Sequence, residues 1–222
     1  NINLRPEFAY NLEGGILKYY NKKKFQTGLN IYYTLLHNYI TRDYFQMNNT
    51  ETIMYDGEEG SMIANVNKKN AFVLGSTLSF KGSLNEEWFT KGSVTYTKGK
   101  TYDTKQPLSS IPPLFGNIAV GFEKNRFQGT LNWRFNAKKS LSNYNLVEGI
   151  DNIEQTPFNF KTSSYEGSLA WNTLNINGNY KLNNNLTFFV NFDNLFDVHY
   201  KEFASSISAA GRNVSLSFLL KV

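Results

Sequence analysis

The sequence predicts an all-β fold: an antiparallel transmembrane β-barrel sheet of about nine strands. Three observations carry that expectation. Apolar residues recur at every second position over long stretches. The connections between those stretches alternate short and long, and aromatic residues flank the short ones.

Each element follows from the alternation, because period 2 puts alternate side chains on one face of a strand. Phe8, Tyr10, Leu12 and Ile16 alternate up to a turn at YNKKK, and Phe25, Leu29, Ile31, Tyr33 and Leu35 resume beyond it. The polar segment MNNTETIMYDGEEGSMIANVNKKN then reads as a long loop. Phe72, Leu74, Leu78 and Phe80 turn at SLNEE into Trp88, Val94 and Tyr96. A second long segment, TYDTKQPLSSIPP, leads to Ile118, Val120 and Phe122, a tight turn at EKNR, and Phe127, Leu131, Trp133 and Phe135. The longest irregular segment spans about 137–168. After it, Leu174, Ile176, Tyr180 and Leu182 turn at NNN into Leu186, Phe188, Val190 and Phe192, with Phe189 breaking the pattern. Val214, Leu216, Phe218, Leu220 and Val222 share the apolar face of the last strand, broken only by Leu219.

Composition and spacing choose between a soluble sandwich and a membrane barrel. The chain has 222 residues, 16% of them aromatic, and no cysteine, so disulfides and thiolate metal sites are excluded. No stretch approaches the roughly 18 apolar residues of a spanning helix. A barrel is compatible with the mean hydropathy of −0.44, since half of each strand faces a polar lumen. A sandwich gives no reason for every second connection to be long, whereas an outer-membrane barrel has short turns on one side and long loops on the other. Tyr20, Phe25, Phe80, Trp88, Phe122, Phe127 and Tyr180 flank the short turns as an interfacial girdle would. Leu174, Ile176, Tyr180, Leu131 and Trp133 mark the lipid parity, and Gln128, Thr130, Asn132, Arg134 and Asn136 mark the lumen. The net charge of +5 is scattered. The run Lys22, Lys23, Lys24 reads as a solvated turn, so no nucleic-acid partner is expected.

An odd strand number has a consequence. Bacterial single-chain barrels close with an even number of strands, and open edges in lipid leave backbone groups unpaired at a cost of several kcal/mol each. Residues 6–20 and 213–222 are therefore expected to pair with strands outside this chain. NINLRPEF carries no initiator methionine or leader, so no targeting segment is expected within it.

The stretch NLFDVHYKEFASSISAAGRNVSLSFLLKV, residues 194–222, resembles the end of TonB-dependent outer-membrane receptors, in which Asn-Leu-Phe-Asp, a following Tyr and a Gly-Arg-Asn recur together. NLRPEFAYNLEGG, PLSSIPPLFGNIAV and WNTLNINGNYKLNNNLTFFVNFDNLFD resemble other segments of that family, so the resemblance covers essentially the whole chain. It departs at Val222, where the family usually ends in Phe or Trp. The resemblance implies that residues 1–222 are the C-terminal portion of a barrel of about 22 strands, with the plug domain and first barrel strands absent from this chain. It implies a Gram-negative outer-membrane location and active import of a scarce nutrient complex, most readily a ferric siderophore, haem or another metal chelate. Its implied partners are outer-membrane lipid, the remaining strands and plug, the TonB system acting through the plug, and the small-molecule or metal-chelate substrate. The alternatives are an adhesin or protein-interaction barrel without uptake, and a barrel enzyme.

Neither chemistry nor a resident cofactor or metal is expected of the residues. Asp197 and His199 lie close in sequence but lack a third partner for acid-base or metal work. Asn194 and Asp197 read instead as bonding turn backbone, with Phe196 as anchor and Tyr200 completing the motif. Gly211, Arg212 and Asn213 read as setting the register of the last strand. His37 reads as too deep on its strand for a haem ligand. The expected ligand contacts are rim and loop residues: Tyr55, Met62, Arg134, Asn136, Tyr144, Phe160 and Tyr165. Their aromatic and basic groups suit an anionic, ring-bearing ligand; packing of the loop aromatics on one another is the plain alternative.

Overall fold

The computed structural model describes residues 1–145, 147 and 151–221, with Lys23 described by its backbone alone. Val222 lies outside these residues. Nine long strands form one antiparallel sheet in sequence order: β1 (Phe8–Tyr20), β2 (Phe25–His37), β3 (Asn70–Ser83), β4 (Trp88–Thr101), β5 (Phe115–Lys124), β6 (Phe127–Asn136), β7 (Trp171–Lys181), β8 (Leu186–Asp193) and β9 (Asn213–Leu220). Strands β1 and β9 pair on one side only, so the sheet is open. Among the described residues, helix is limited to three short 3₁₀ turns at 21–23, 141–143 and 153–155.

The apolar parity forms a continuous outer face. Leu131, Trp133, Ile176 and Tyr180 are exposed and Leu174 is half-buried, with no second sheet packed over them. Leu12, Ile16, Leu216 and Phe218 are each at least 70% exposed. The buried hydrophobic residues, Ala71, Leu108, Ala119, Tyr144 and Trp171, do not make a sandwich core. An apolar face this extensive in water marks an interaction surface or a lipid contact, and aromatics flank its short turns. In register, Phe127 faces Tyr180, Tyr180 faces Phe188 and Phe188 faces Phe218. Rings touch across the same end of the sheet from Tyr20 to Phe25 to Phe80, and from Trp88 to Phe122 to Phe127.

The opposite face is a polar ladder. Asn30 donates to Glu13, Thr34 to Asn11, Asn179 to Gln128, Asn177 to Asn191 and Asn191 to Ser215, at 2.7–3.2 Å. Cross-strand pairs of this kind satisfy amides that would otherwise need water. Phe189 and Leu219, which break the alternation, lie diagonally on this face through the pairs Phe189 with Ser217 and Thr187 with Leu219. Phe89 also lies here, over Gly121; a Cβ at Gly121 would come within 2.0 Å of its ring, so the close approach needs glycine there.

The short turns share a device. In SLNEE, Asn85 Oδ1 accepts from the Glu87 and Trp88 N–H groups; at the NNN turn, Asn183 Oδ1 accepts from those of Asn185 and Leu186. Both are Asx turns, in which the side chain supplies an acceptor the backbone lacks. The 47–70 segment is more ordered than its polarity implies. Ile40–Tyr44 pairs with Ile63–Asn67, and Thr52–Tyr55 pairs with Glu58–Ser61, so a hairpin rises beyond β2 and β3. Asp56 and Gly57, at φ 50° and 84°, form its tip; an Asp-Gly pair suits a turn with both residues left-handed. A shorter hairpin, Phe158–Asn159 with Ser164–Tyr165, stands within the longest connection.

Candidate functional site

The site lies at the long-loop end, where connections 102–114, 137–170 and 194–212 converge on β5, β6 and β7. Its centre is a buried ion pair. Lys139 Nζ donates to Asp151 Oδ2 and to the Ile111 carbonyl, each at 2.8 Å, and both charged side chains are 4% exposed. The ammonium lies 4.5 Å from the Tyr144 ring centroid and 4.2 Å from that of Phe203. Asp151 Oδ1 accepts from the Ser110 N–H at 2.7 Å. A buried charge is tolerated when it is paired and further hydrogen-bonded, and here one lysine collects partners from all three connections. Burial lowers the Lys139 ammonium below its usual range, against the opposing pull of Asp151. Burial likewise raises the Tyr144 hydroxyl, which accepts from the Ser168 N–H at 3.0 Å.

A second ion pair sits nearer the sheet. Arg134 donates to Glu202 Oε1 at 3.0 Å, with side chains 45% and 51% exposed. The Arg134 guanidinium lies 5.6 Å from the Trp171 ring, which stacks on Tyr200 at 4.2 Å. Trp171 and Glu202 border two cavities. One, about 390 Å³, opens between segments 151–157 and 198–205. The other, about 540 Å³, is bounded by Asn117, Asn132, Arg134, Asn136 and Phe203 as well. Asn132 Oδ1 and Trp171 Nε1, both on the second cavity's lining residues, are buried without a hydrogen-bond partner. The residues lining this cavity thus include two that carry donors, the Arg134 guanidinium and the Trp171 indole N–H, and donors of this kind suit an anionic ligand.

The C-terminal motif builds the rim. Asn194, 3% exposed and left-handed at φ 50°, donates through Nδ2 to the Val198 and Ala210 carbonyls and accepts through Oδ1 from the Val198 N–H. Its own N–H donates to Asn175 Oδ1 at 2.8 Å, tying the corner to β7. Asp197 Oδ1 accepts from the Arg212 N–H at 2.7 Å, and a Cβ at Gly211 would meet that same oxygen at 2.7 Å. Asn213 then opens β9 opposite Asp193. Phe196 does not anchor the corner: its ring is 70% exposed, because the polar bonds of Asn194 and Asp197 already close the turn.

The expected ligand contacts fall into three groups. Arg134, Asn136 and Tyr144 come to the convergent mouth, although Tyr144 and Asn136 are buried and Asn136 Nδ2 is spent on the Ala137 carbonyl. Tyr55 is at the far hairpin, 80% exposed, and Met62 joins that hairpin to the strand below through backbone bonds with Glu51 and Phe45. Phe160 and Tyr165 pack on Phe158 at 5.3 and 5.1 Å, the plain packing alternative. His37 is not deep on its strand; it ends β2 at the long-loop end, 2.9 Å from Asn70 Oδ1. His199 bonds Ser208 Oγ at 3.1 Å, and Asp197 is occupied by Arg212. Among the described residues no cluster of three or more His, Asp or Glu could hold a metal. Sequence reasoning missed Glu202, Lys139 and Asp151, since irregular connections carry no periodicity to mark them, and the site role of Trp171, which opens β7.

Comparison with known proteins agrees with this geometry. The chain superposes on the copper transporter OprC with a TM-score of 0.75 at 21% identity, over 98% of this chain and 32% of that one. It matches the ferric-catecholate import receptor Fiu from E. coli K12 at 0.66 and 15% identity, over 99% and 28%. It matches the ferripyoverdine receptor of the outer membrane of Pseudomonas aeruginosa at 0.67 and 18% identity, over 98% and 27%. The chain thus spans about a third of the length of these structures. A search of the curated proteins found no match. A family model described as "TonB dependent receptor-like, beta-barrel" matches residues 1–195, and the chain belongs to that family of TonB-dependent receptor β-barrels.

Proposed function

We propose that the chain is the C-terminal barrel portion of an outer-membrane receptor that imports an anionic metal chelate, a ferric siderophore, haem or a related complex, and is energised by TonB through a plug domain. One observation carries the choice of ligand: Arg134 and Trp171, whose indole N–H has no partner, line one cavity at the mouth of the polar face. Cationic and N–H donors there suit the oxygen-rich, negatively charged surface of a chelate. That OprC is a copper transporter, Fiu a ferric-catecholate import receptor and the third structure a ferripyoverdine receptor supports the class of cargo without selecting among metals. The apolar outer face faces lipid, the long loops face outward, and β1 and β9 pair with strands outside these residues, which removes two otherwise unpaired edges.

The reading is tested by uptake. The full-length receptor is expressed in a Gram-negative strain stripped of its own iron and haem receptors, and labelled ferric citrate, ferric tricatecholate and haem are offered with TonB present or deleted. TonB-dependent accumulation of one of them supports the proposal. Accumulation of none, or accumulation indifferent to TonB, refutes it; binding of a protein partner without uptake would favour an adhesin instead.

A further inference from the structure

We infer that Glu202 is an internal competitor for the anion bound by Arg134, so that an anionic chelate frees the 198–205 segment by taking Glu202's place. The inference rests on the receptor reading above and adds how binding at that site is coupled to the loops. The two ion pairs at this end differ in the property that matters. Lys139 and Asp151 are sealed, each side chain 4% exposed, and their exchange would strand a buried charge. Arg134 and Glu202 are half exposed, at 45% and 51%, and meet at the boundary of both cavities. A pair so wet is weak and readily exchanged.

The groups around Arg134 are arranged for something larger than one carboxylate oxygen. Glu202 offers Oε1 to a single amino group of the guanidinium fork, while the fork can serve two oxygens in parallel. Trp171, 8% exposed and lining the same cavity, has its Nε1 donor unpartnered. Buried polar atoms are rarely left without a partner. A chelate whose catecholate or carboxylate oxygens engage Arg134 and the indole N–H satisfies groups that Glu202 leaves unserved. It therefore has the differential affinity needed to shift the loop.

Displacement has a path outward. Glu202 lies between Lys201, whose Nζ donates to the Gln155 carbonyl at 3.2 Å, and Ala204, whose carbonyl accepts from Asn152 Nδ2 at 2.6 Å. These contacts hold segment 198–205 against segment 151–157 and close the outer cavity. Releasing Glu202 removes the Arg134 ion pair and leaves that segment held by those two surface bonds and by the Tyr200 and Phe203 rings on Trp171 and Lys139, while Lys139 and Asp151 keep the rest of the loop cluster in place.

The test uses the full-length receptor in lipid nanodiscs, with a spin label at Ser206→Cys, an exposed position in a chain without native cysteine; any cysteine elsewhere in the receptor is first replaced. The probes are ferric citrate, a ferric tricatecholate and a neutral ferric trihydroxamate. The wild-type label should be restrained when free and become mobile with an anionic chelate. E202Q should be mobile from the start and bind the anionic chelates about fivefold tighter, the size expected for removing a half-exposed competitor, with no gain for the neutral one. R134Q should also be mobile but bind the anionic chelates more weakly. Unfolding midpoints of both variants, matched to wild type, exclude misfolding; if E202Q fails that control, E202A replaces it. A receptor that binds and imports an anionic chelate with an unmoved label, or with E202Q no tighter, overturns this inference and leaves the receptor function standing. Failure to bind or import any of the three overturns both.

Discussion

Replacing Leu29 by lysine should destabilise the receptor by about 2–4 kcal/mol, while the same change at its neighbour Asn30 should cost no more than about 0.5 kcal/mol. Leu29 is on the apolar face of β2, flanked in register by Ile16 and Leu78. It is four residues from Phe25, which belongs to the aromatic row beside the short turns. Four residues at ~3.4 Å, inclined about 40–45°, raise it ~10 Å above that row. The apolar band of such a barrel is about 25 Å tall, so Leu29 lies near its midplane, where a lysine is most costly. Asn30 points the other way and donates to Glu13 Oε1 at 2.7 Å, so a lysine there gains an ion pair in a wet environment. Denaturant unfolding of the full-length receptor in lipid vesicles should lower the midpoint of Leu29→Lys alone, at an unchanged slope. Equal losses for the two variants, or a larger loss at Asn30, would refute the assignment of faces.

Three further outcomes follow from the long-loop end. Asn194→Ala removes three side-chain hydrogen bonds and places a Cβ residue without a local bond at φ 50°; about 2–4 kcal/mol of local stability should be lost, read as hydrogen exchange at Val198 and Arg212. Lys139→Met strands the buried Asp151 carboxylate and should loosen segment 137–170 by about 3–5 kcal/mol, whereas Lys139→Met with Asp151→Leu should recover most of it, since an apolar pair can replace a buried ion pair; limited proteolysis of that segment separates the two. Asp43 in the outer hairpin has burial acting to raise its carboxyl, but hydrogen bonds from Lys68 and from the Tyr44 N–H prevail and hold it below 3.8. A carboxyl lowered in the folded state stabilises above its unfolded value and loses that contribution as pH falls through the folded one. The exchange protection of Ile63–Asn67 should therefore differ between wild type and Asp43→Asn above the usual carboxylate range and converge as the pH falls through the lowered folded-state value.

The strands and their faces were legible because period 2 is imposed by backbone geometry and sharpened by two different solvents. Leu131 and Asn132 are adjacent in sequence and lie on opposite faces, as the alternation requires. The hairpin around Asp56 and Gly57 read as a loop instead, since its strands are short and exposed on both sides and no alternation announced them. The site was legible only where it lies on a strand, at Arg134 and Asn136. Glu202 meets Arg134 across 68 residues, and Lys139 meets Asp151 through irregular backbone. Such contacts depend on how three connections fold over one another, and nothing local in KEF or in AKK signals them. His37 was misjudged for the opposite reason: alternation continues to it, yet the strand ends there.

The C-terminal motif does more than end a strand. Asn194 is bonded to Asn175 on β7, and Asn175 Nδ2 donates to the backbone carbonyl of Asn132 on β6 at 3.3 Å. The corner is thereby referenced to the two strands that carry Arg134 and Trp171. From that fixed corner the chain runs through Tyr200, stacked on Trp171, to Glu202 and returns to Gly211, where the Asp197 carboxylate captures the Arg212 N–H before β9 begins. Both ends of the 198–210 excursion are therefore pinned by buried or charge-assisted bonds, while its middle carries the half-exposed Glu202 between Tyr200 on Trp171 and Phe203 on Lys139. Pinned ends let the middle rearrange without disturbing the register of β9, which is paired only with β8 within this sheet. Apolar packing of Phe196 does not hold this corner, since that side chain is exposed.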